Sequence, residues 1–229
     1  MHHESGISVL LNPWENLPSH ANFVLAEDAA AVCAFNESAA PAVRFDLSLF
    51  PEPYFGRRDA PIVLLTLNPG GGPRDPETHA NPAFSSAARA SLVHALNPVA
   101  FLHLQQPAST PGGAWWRRIA KPLIEATDLE AVARSMLCVQ YVGYHSERFG
   151  SRSLRLPSQA YGFELVRSAI RRHAIVVCMR SWHLWSAAVP ELTTYAPVYK
   201  VRNVRNPVIS PANLPDGYNA LLEAMVRST

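Results

Sequence analysis

Three short segments of this 229-residue chain carry side chains able to hold a water or read a polar ligand: Leu67-Asn68-Pro69-Gly70, Gln140 with Tyr144-His145-Ser146, and Asn206-Pro207 with Ser210-Pro211. In the first, Asn68 precedes a proline and three consecutive glycines, Gly70 to Gly72. Its carbonyl oxygen can position a water, although a neutral amide is a poor base. Glycine lets main chain approach a ligand closely, so the N–H groups near Gly70 and Gly71 are candidate donors to a ligand oxygen. Gln140 carries one donor and one acceptor group, and Asn206 can donate from its amide nitrogen. A plain Gly-rich turn capped by Asn68 is the alternative for the first segment, and a surface loop histidine is the alternative for His145.

Each segment follows a strand-like run. Ile62 to Leu65 is apolar and β-branched without polar alternation, which predicts a central strand covered on both faces. Ser135–Val142, Ala174–Met179 and Pro197–Val204 read as three further strands. Helical spacing predicts helices over His20–Phe35, Ser85–Leu96, Pro157–Arg172, Ser181–Val189 and Ala212–Arg227, and around Trp115, Trp116, Ile119 and Leu123, with Pro122 expected to interrupt the last. Leu47 to Asp59 reads as loop, and Pro73 to Pro111 as a long irregular stretch of the kind that is usually functional or mobile. Alternating strands and helices predict a three-layer α/β/α fold with a four-stranded parallel sheet, in which ligands bind beyond the carboxyl ends of the strands. All three polar segments should therefore converge on one crevice. Trp182 and Trp185 are expected in the core.

One domain spanning residues 1–229 is expected, with residues 1–60 as an N-terminal extension packed on it. An apolar fraction of 48% with evenly scattered charge fits a globular protein, and the 20 prolines imply stiff connections. No stretch approaches the roughly 20 apolar residues that span a bilayer, and the N-terminus lacks a secretion signal, so a cytoplasmic protein without a membrane partner is expected. Cys33, Cys138 and Cys178 read as small buried hydrophobes. A net charge of +2 does not by itself demand a nucleic acid. The arginine pairs Arg57–Arg58, Arg117–Arg118 and Arg171–Arg172, with Arg202 and Arg205 beside the late Asn-Pro, leave room for one basic face.

The order and spacing of TLNPGGG, MLCVQYVGYHS and RNPVISPAN resemble the uracil-DNA glycosylase superfamily. The first segment is similar to the G-x-N-P-G motif of its mismatch-specific and single-strand-selective branches, and the last to its second motif. Thr66 stands where that motif begins with glycine, Gln140 where asparagine commonly reads the base, and Arg180 where glycine often follows the third strand. The resemblance implies a monofunctional glycosylase that flips uracil or a related deaminated base out of DNA and hydrolyses its N-glycosidic bond. Asn68 and Asn206 would be catalytic. Leu67, Pro69, Gly70 and Gly71 would contact the substrate from one side, and Gln140, His145 and Ser210 from the other. Arg205 and Arg202 would meet phosphates. The iron–sulfur branches need four cysteines, so no metal or other cofactor is implied, and without a lysine in the first motif no Schiff-base step is expected. A monomer acting on DNA is the expectation. The alternatives are a non-catalytic nucleic-acid or nucleotide binder of the same fold and a hydrolase of free nucleosides.

Overall fold

The structure is a computed structural model that describes residues 10–95 and 101–227; the N-terminal stretch read for a signal and Leu96, the last residue of one expected helix, lie outside them. Five strands form one mixed sheet: β1 (Tyr54–Gly56), β2 (Ile62–Thr66), β3 (Met136–Gln140), β4 (Ile175–Cys178) and β5 (Val198–Lys200), in the spatial order β1-β3-β2-β4-β5. The last four are mutually parallel, while β1 runs antiparallel against β3.

The expected four-strand, all-parallel sheet therefore needs correcting. β1 falls within the segment read as loop, and its three residues between Pro53 and the Arg57–Arg58 pair are too few to display a period of two. Gly56 ends it with φ +107°, and a Cβ there would overlap the carbonyl of Met136 on β3. The central-strand reading of Ile62 to Leu65 holds: all four side chains are fully buried, and β2 lies between β3 and β4.

The helices are α1 (Ala29–Ser38), α2 (Asp75–Ala80), α3 (Pro82–Leu92), α4 (Leu102–Gln105), α5 (Pro111–Ala126), α6 (Leu129–Ser135), α7 (Gln159–Arg171), α8 (Trp182–Ala188) and α9 (Tyr218–Val226). α5 runs unbroken through Pro122, whose carbonyl accepts a hydrogen bond from the Tyr218 hydroxyl at 2.8 Å. α9 starts later than expected because Pro215 and Gly217 occupy its approach. The stretch read as largely irregular holds α2 and α4 besides α3, and α6 delivers the chain straight into β3. α4, α5, α6 and α9 pack together, while α7 rests on β3 and β4. Trp185 is fully buried, whereas Trp182 lies under the Lys200 ammonium at 4.5 Å. Cys138 and Cys178 are buried in strands, but Cys33 is on the exposed face of α1, hydrogen-bonded to Glu37. No helix of the described residues is long and apolar enough to cross a membrane.

Candidate functional site

The segments leaving β2 and β3 stay paired beyond the sheet. The carbonyl of Thr66 accepts from the Tyr141 N–H (3.3 Å), that of Leu67 from the Val142 N–H (2.8 Å), and that of Pro69 from the Ser146 N–H (3.3 Å), while the Trp185 indole of α8 also donates to Thr66 (2.9 Å). These bonds fix Asn68 at the carboxyl edge of the sheet, in a cleft of about 590 Å³. Leu67, Asn68, Pro69, Gly70, Gly71, Gln140 and His145 all line it, together with Thr66, Ser146, Arg148 and Arg180. Trp115 and Trp116 from α5 and Phe84 from α3 supply apolar wall.

The amide of Asn68 is oriented by its neighbour. Ser146 Oγ donates to the carbonyl of Arg148 (3.0 Å), so towards Asn68 it can only accept, and it takes the Asn68 Nδ2–H at 2.8 Å. Asn68 Nδ2 also reaches the Pro69 carbonyl, and Oδ1 has no protein partner among the described residues. The N–H groups of Gly70 and Gly71 are likewise unpartnered there, whereas Gly72 N–H is capped by Asp75 at 2.7 Å. Gly71 lies against the main chain of Ser146 and Glu147, so a Cβ would press on that backbone.

The two sequence departures Thr66 and Gln140 touch each other. The buried Thr66 hydroxyl donates to Gln140 Oε1, leaving the amide nitrogen of Gln140 as a donor without a protein partner. Gln140 can therefore offer the cleft its amide donor, while its oxygen is already engaged by Thr66.

His145 is buried, not a surface loop residue. Its Nδ1 faces the Gly70 carbonyl at 2.6 Å and its Nε2 the Phe50 carbonyl at 3.0 Å. Both ring nitrogens face carbonyls, so His145 braces the glycine segment and turns neither nitrogen to a ligand.

The late segment goes elsewhere. Asn206, Ser210, Arg202 and Arg205 do not line the cleft. Asn206 is exposed and accepts from Arg118 Nη1 at 2.5 Å, and Ser210 Oγ accepts from the Asn213 N–H. Asn213 also bonds Asn203, Asn206 and Val208, folding this loop upon itself. Arg202 and Arg205 are exposed. Arg57 is held by Asp59 and Arg117 by the carbonyls of Leu104 and Gln106. Two other cations line the cleft: Arg148, which is exposed, and Arg180, which is half-buried and has no carboxylate or hydrogen-bond partner for its guanidinium among the described residues. Burial, with the Arg118 charge nearby, lowers the pKa of Arg180.

One cluster on the cleft wall was not foreseen. Glu52, 4% exposed, is surrounded by three histidines: His103 Nε2 lies 2.8 Å from Oε2, and His79 Nε2 and His145 Nε2 each lie 3.8 Å from Oε1. Burial alone would raise the Glu52 carboxyl, but the charge and hydrogen bond of His103, with His145 and His79 behind them, outweigh it and hold the group down at about 2. His79 is pushed down to about 4 by burial, against the pull of Glu52. No local spacing announces this set, since its members come from four separate segments; only the length of the connection after the glycines was a signal.

Glu52, His79 and His145 have ligand atoms within 4.8 Å of one another, close enough to be tested as a cation site. The hydrogen bonding argues against it. Phe50 N–H donates to His79 Nδ1 at 2.9 Å, so in the neutral ring the hydrogen sits on Nε2, and both His145 nitrogens face backbone carbonyls. Metal ligation needs a lone pair on the coordinating nitrogen. Only His103 hydrogen-bonds the carboxylate, through Oε2, while the buried Oε1 has no hydrogen-bond partner among the described residues and meets His79 and His145 at 3.8 Å. In comparison with known proteins, the chain matches no family model, no curated protein and no solved structure.

Proposed function

We propose that the cleft hydrolyses the N-glycosidic bond of uracil or a related deaminated base in DNA, with a monomeric, cytoplasmic protein as the acting form. The observation that carries this reading is the orientation of Asn68: Ser146 holds its nitrogen, so its carbonyl oxygen faces the cleft free to position a water. Breaking the bond leaves negative charge on the departing base, and the unpartnered N–H groups of Gly70 and Gly71 stand ready as donors to it. The donor on Gln140 supports the choice of base. Deamination replaces an exocyclic amino donor by a carbonyl acceptor, so a donor favours the deaminated base over its parent.

The strand order β3-β2-β4-β5, with helices packed against it, supports a three-layer arrangement of the uracil-DNA glycosylase type, with β1 as an addition. Arg180 takes over the phosphate-facing role expected of Arg202 and Arg205. A second reading, hydrolysis of a free nucleoside in the same cleft, is favoured by the position of Asn206, Arg202 and Arg205 outside it.

The test is release of free base from oligonucleotides carrying uracil, hypoxanthine, xanthine or hydroxymethyluracil. Asn68→Ala is expected to lower release about ten- to a hundredfold with DNA affinity largely intact, because water placement is lost and phosphate contacts are not. No release from any of them by the wild type refutes the glycosylase reading. Absence of salt-dependent binding to single-stranded DNA, alongside cleavage of nucleosides, would favour the second.

A further inference from the structure

We propose that His103, oriented by buried Glu52, is the proton acceptor for the water in this cleft. The inference rests on the glycosylase reading and supplies what that reading lacks, since the amide of Asn68 can place a water but not take its proton.

The geometry fixes the tautomer. His103 Nε2 lies 2.8 Å from Glu52 Oε2, and an ionised carboxylate only accepts, so Nε2 carries the hydrogen. The neutral ring then has its lone pair on Nδ1. That atom has no protein partner among the described residues and is not sealed from solvent, and His103 lines the cleft. Its Nδ1–Cε1 edge lies over Gly112 at the start of α5, where a Cβ would overlap the ring; glycine leaves the space the imidazole occupies. Glu52 is itself pinned through its N–H to the Gly143 carbonyl at 2.9 Å. Of the histidines around Glu52, His79 has its Nδ1 lone pair occupied by the Phe50 N–H, and His145 faces carbonyls with both nitrogens. His103 alone of the three keeps an unoccupied lone pair on the cleft. A buried carboxylate behind an imidazole whose other nitrogen is open holds the productive tautomer and stabilises the imidazolium that forms. Further charged groups of this neighbourhood are Asp46, Asp75 of α2 and Arg117 of α5.

In the reaction, a water proton passes to His103 Nδ1 as the water oxygen bonds to the anomeric carbon. The carbon–nitrogen bond breaks, and its electron pair leaves with the base, which then takes a proton from the imidazolium or from solvent. Glu52 is a positioning residue and stays ionised throughout.

Two measurements on the full chain test this. Nitrogen-15 NMR of the labelled histidines, which needs no substrate, should show His103 with hydrogen on Nε2 and a bare Nδ1, and Glu52→Gln should redistribute the two tautomers. A His103 with hydrogen on Nδ1 overturns the proposal whatever the activity. In the base-release assay, His103→Gln should lower kcat about a hundredfold or more with KM little changed, and added imidazole should partly restore His103→Ala, which a purely structural role would not allow. Unchanged kcat in His103→Gln overturns the proposal and leaves the glycosylase reading standing. A wild type that releases no base overturns that reading and the reaction step with it, while the NMR result still decides whether the open acceptor exists.

Discussion

Acidification should unfold this protein in two separable stages, and two largely buried histidines, His79 and His94, set the first. His79 has an ordinary value of 6.5 and is pushed to about 4 when folded, chiefly by burial. Between those values the unfolded chain binds a proton that the folded protein refuses, so stability falls as pH falls and is fully present only above 6.5. At about 1.4 kcal/mol per pH unit, the interval down to 4 removes about 3 kcal/mol. His94, stacked on Tyr54 with ring centroids 4.7 Å apart, is pushed to about 4 by burial and the charge of Arg58, and adds a second proton in the same window. Glu52 governs the second stage. Its folded value of about 2 lies below the ordinary 4.5, so its contribution is present above 4.5 and is lost as pH drops towards 2. Against a typical total stability of about 5–15 kcal/mol, the first stage alone is large. Urea unfolding followed by tryptophan fluorescence at pH 7.5, 6, 5 and 4 measures it. The wild type should lose stability steeply between 6.5 and 4, and His79→Gln should lose roughly half as much over that interval. A wild-type stability flat across the window would refute the reasoning, as would an unaltered slope in His79→Gln.

Gly56→Ala should destabilise by about 1–3 kcal/mol or more in urea, because φ +107° is strained for any L side chain and the Cβ meets the backbone of β3; wild-type stability in this variant would contradict the placement of β1. Arg180→Ala should weaken oligonucleotide binding for all sequences alike and lower the slope of log affinity against log salt by about one, and an unchanged slope would remove Arg180 from the phosphate path.

Sequence alone determined the parts of this protein that depend on neighbours along the chain. The apolar runs at Ile62, Met136 and Ile175 became buried parallel strands, because an apolar run without polar alternation has nowhere stable to go except between covered faces. Asn68 and Gln140 were legible for the same reason: each stands at or just beyond the carboxyl end of such a strand, and parallel strands deliver their ends to one edge. Tertiary structure decided the rest. β1 is visible only as the antiparallel partner of β3, since three residues carry no period. Asn206 follows β5 by six positions, and the bonds of Asn213 turn that loop so that Asn206 meets Arg118 outside the cleft. The Glu52 cluster gathers side chains from positions 52, 79, 103 and 145, and no spacing rule links residues that meet only through loops. Burial then makes that meeting consequential, because a carboxylate removed from water must be neutralised by whatever donors the fold brings to it.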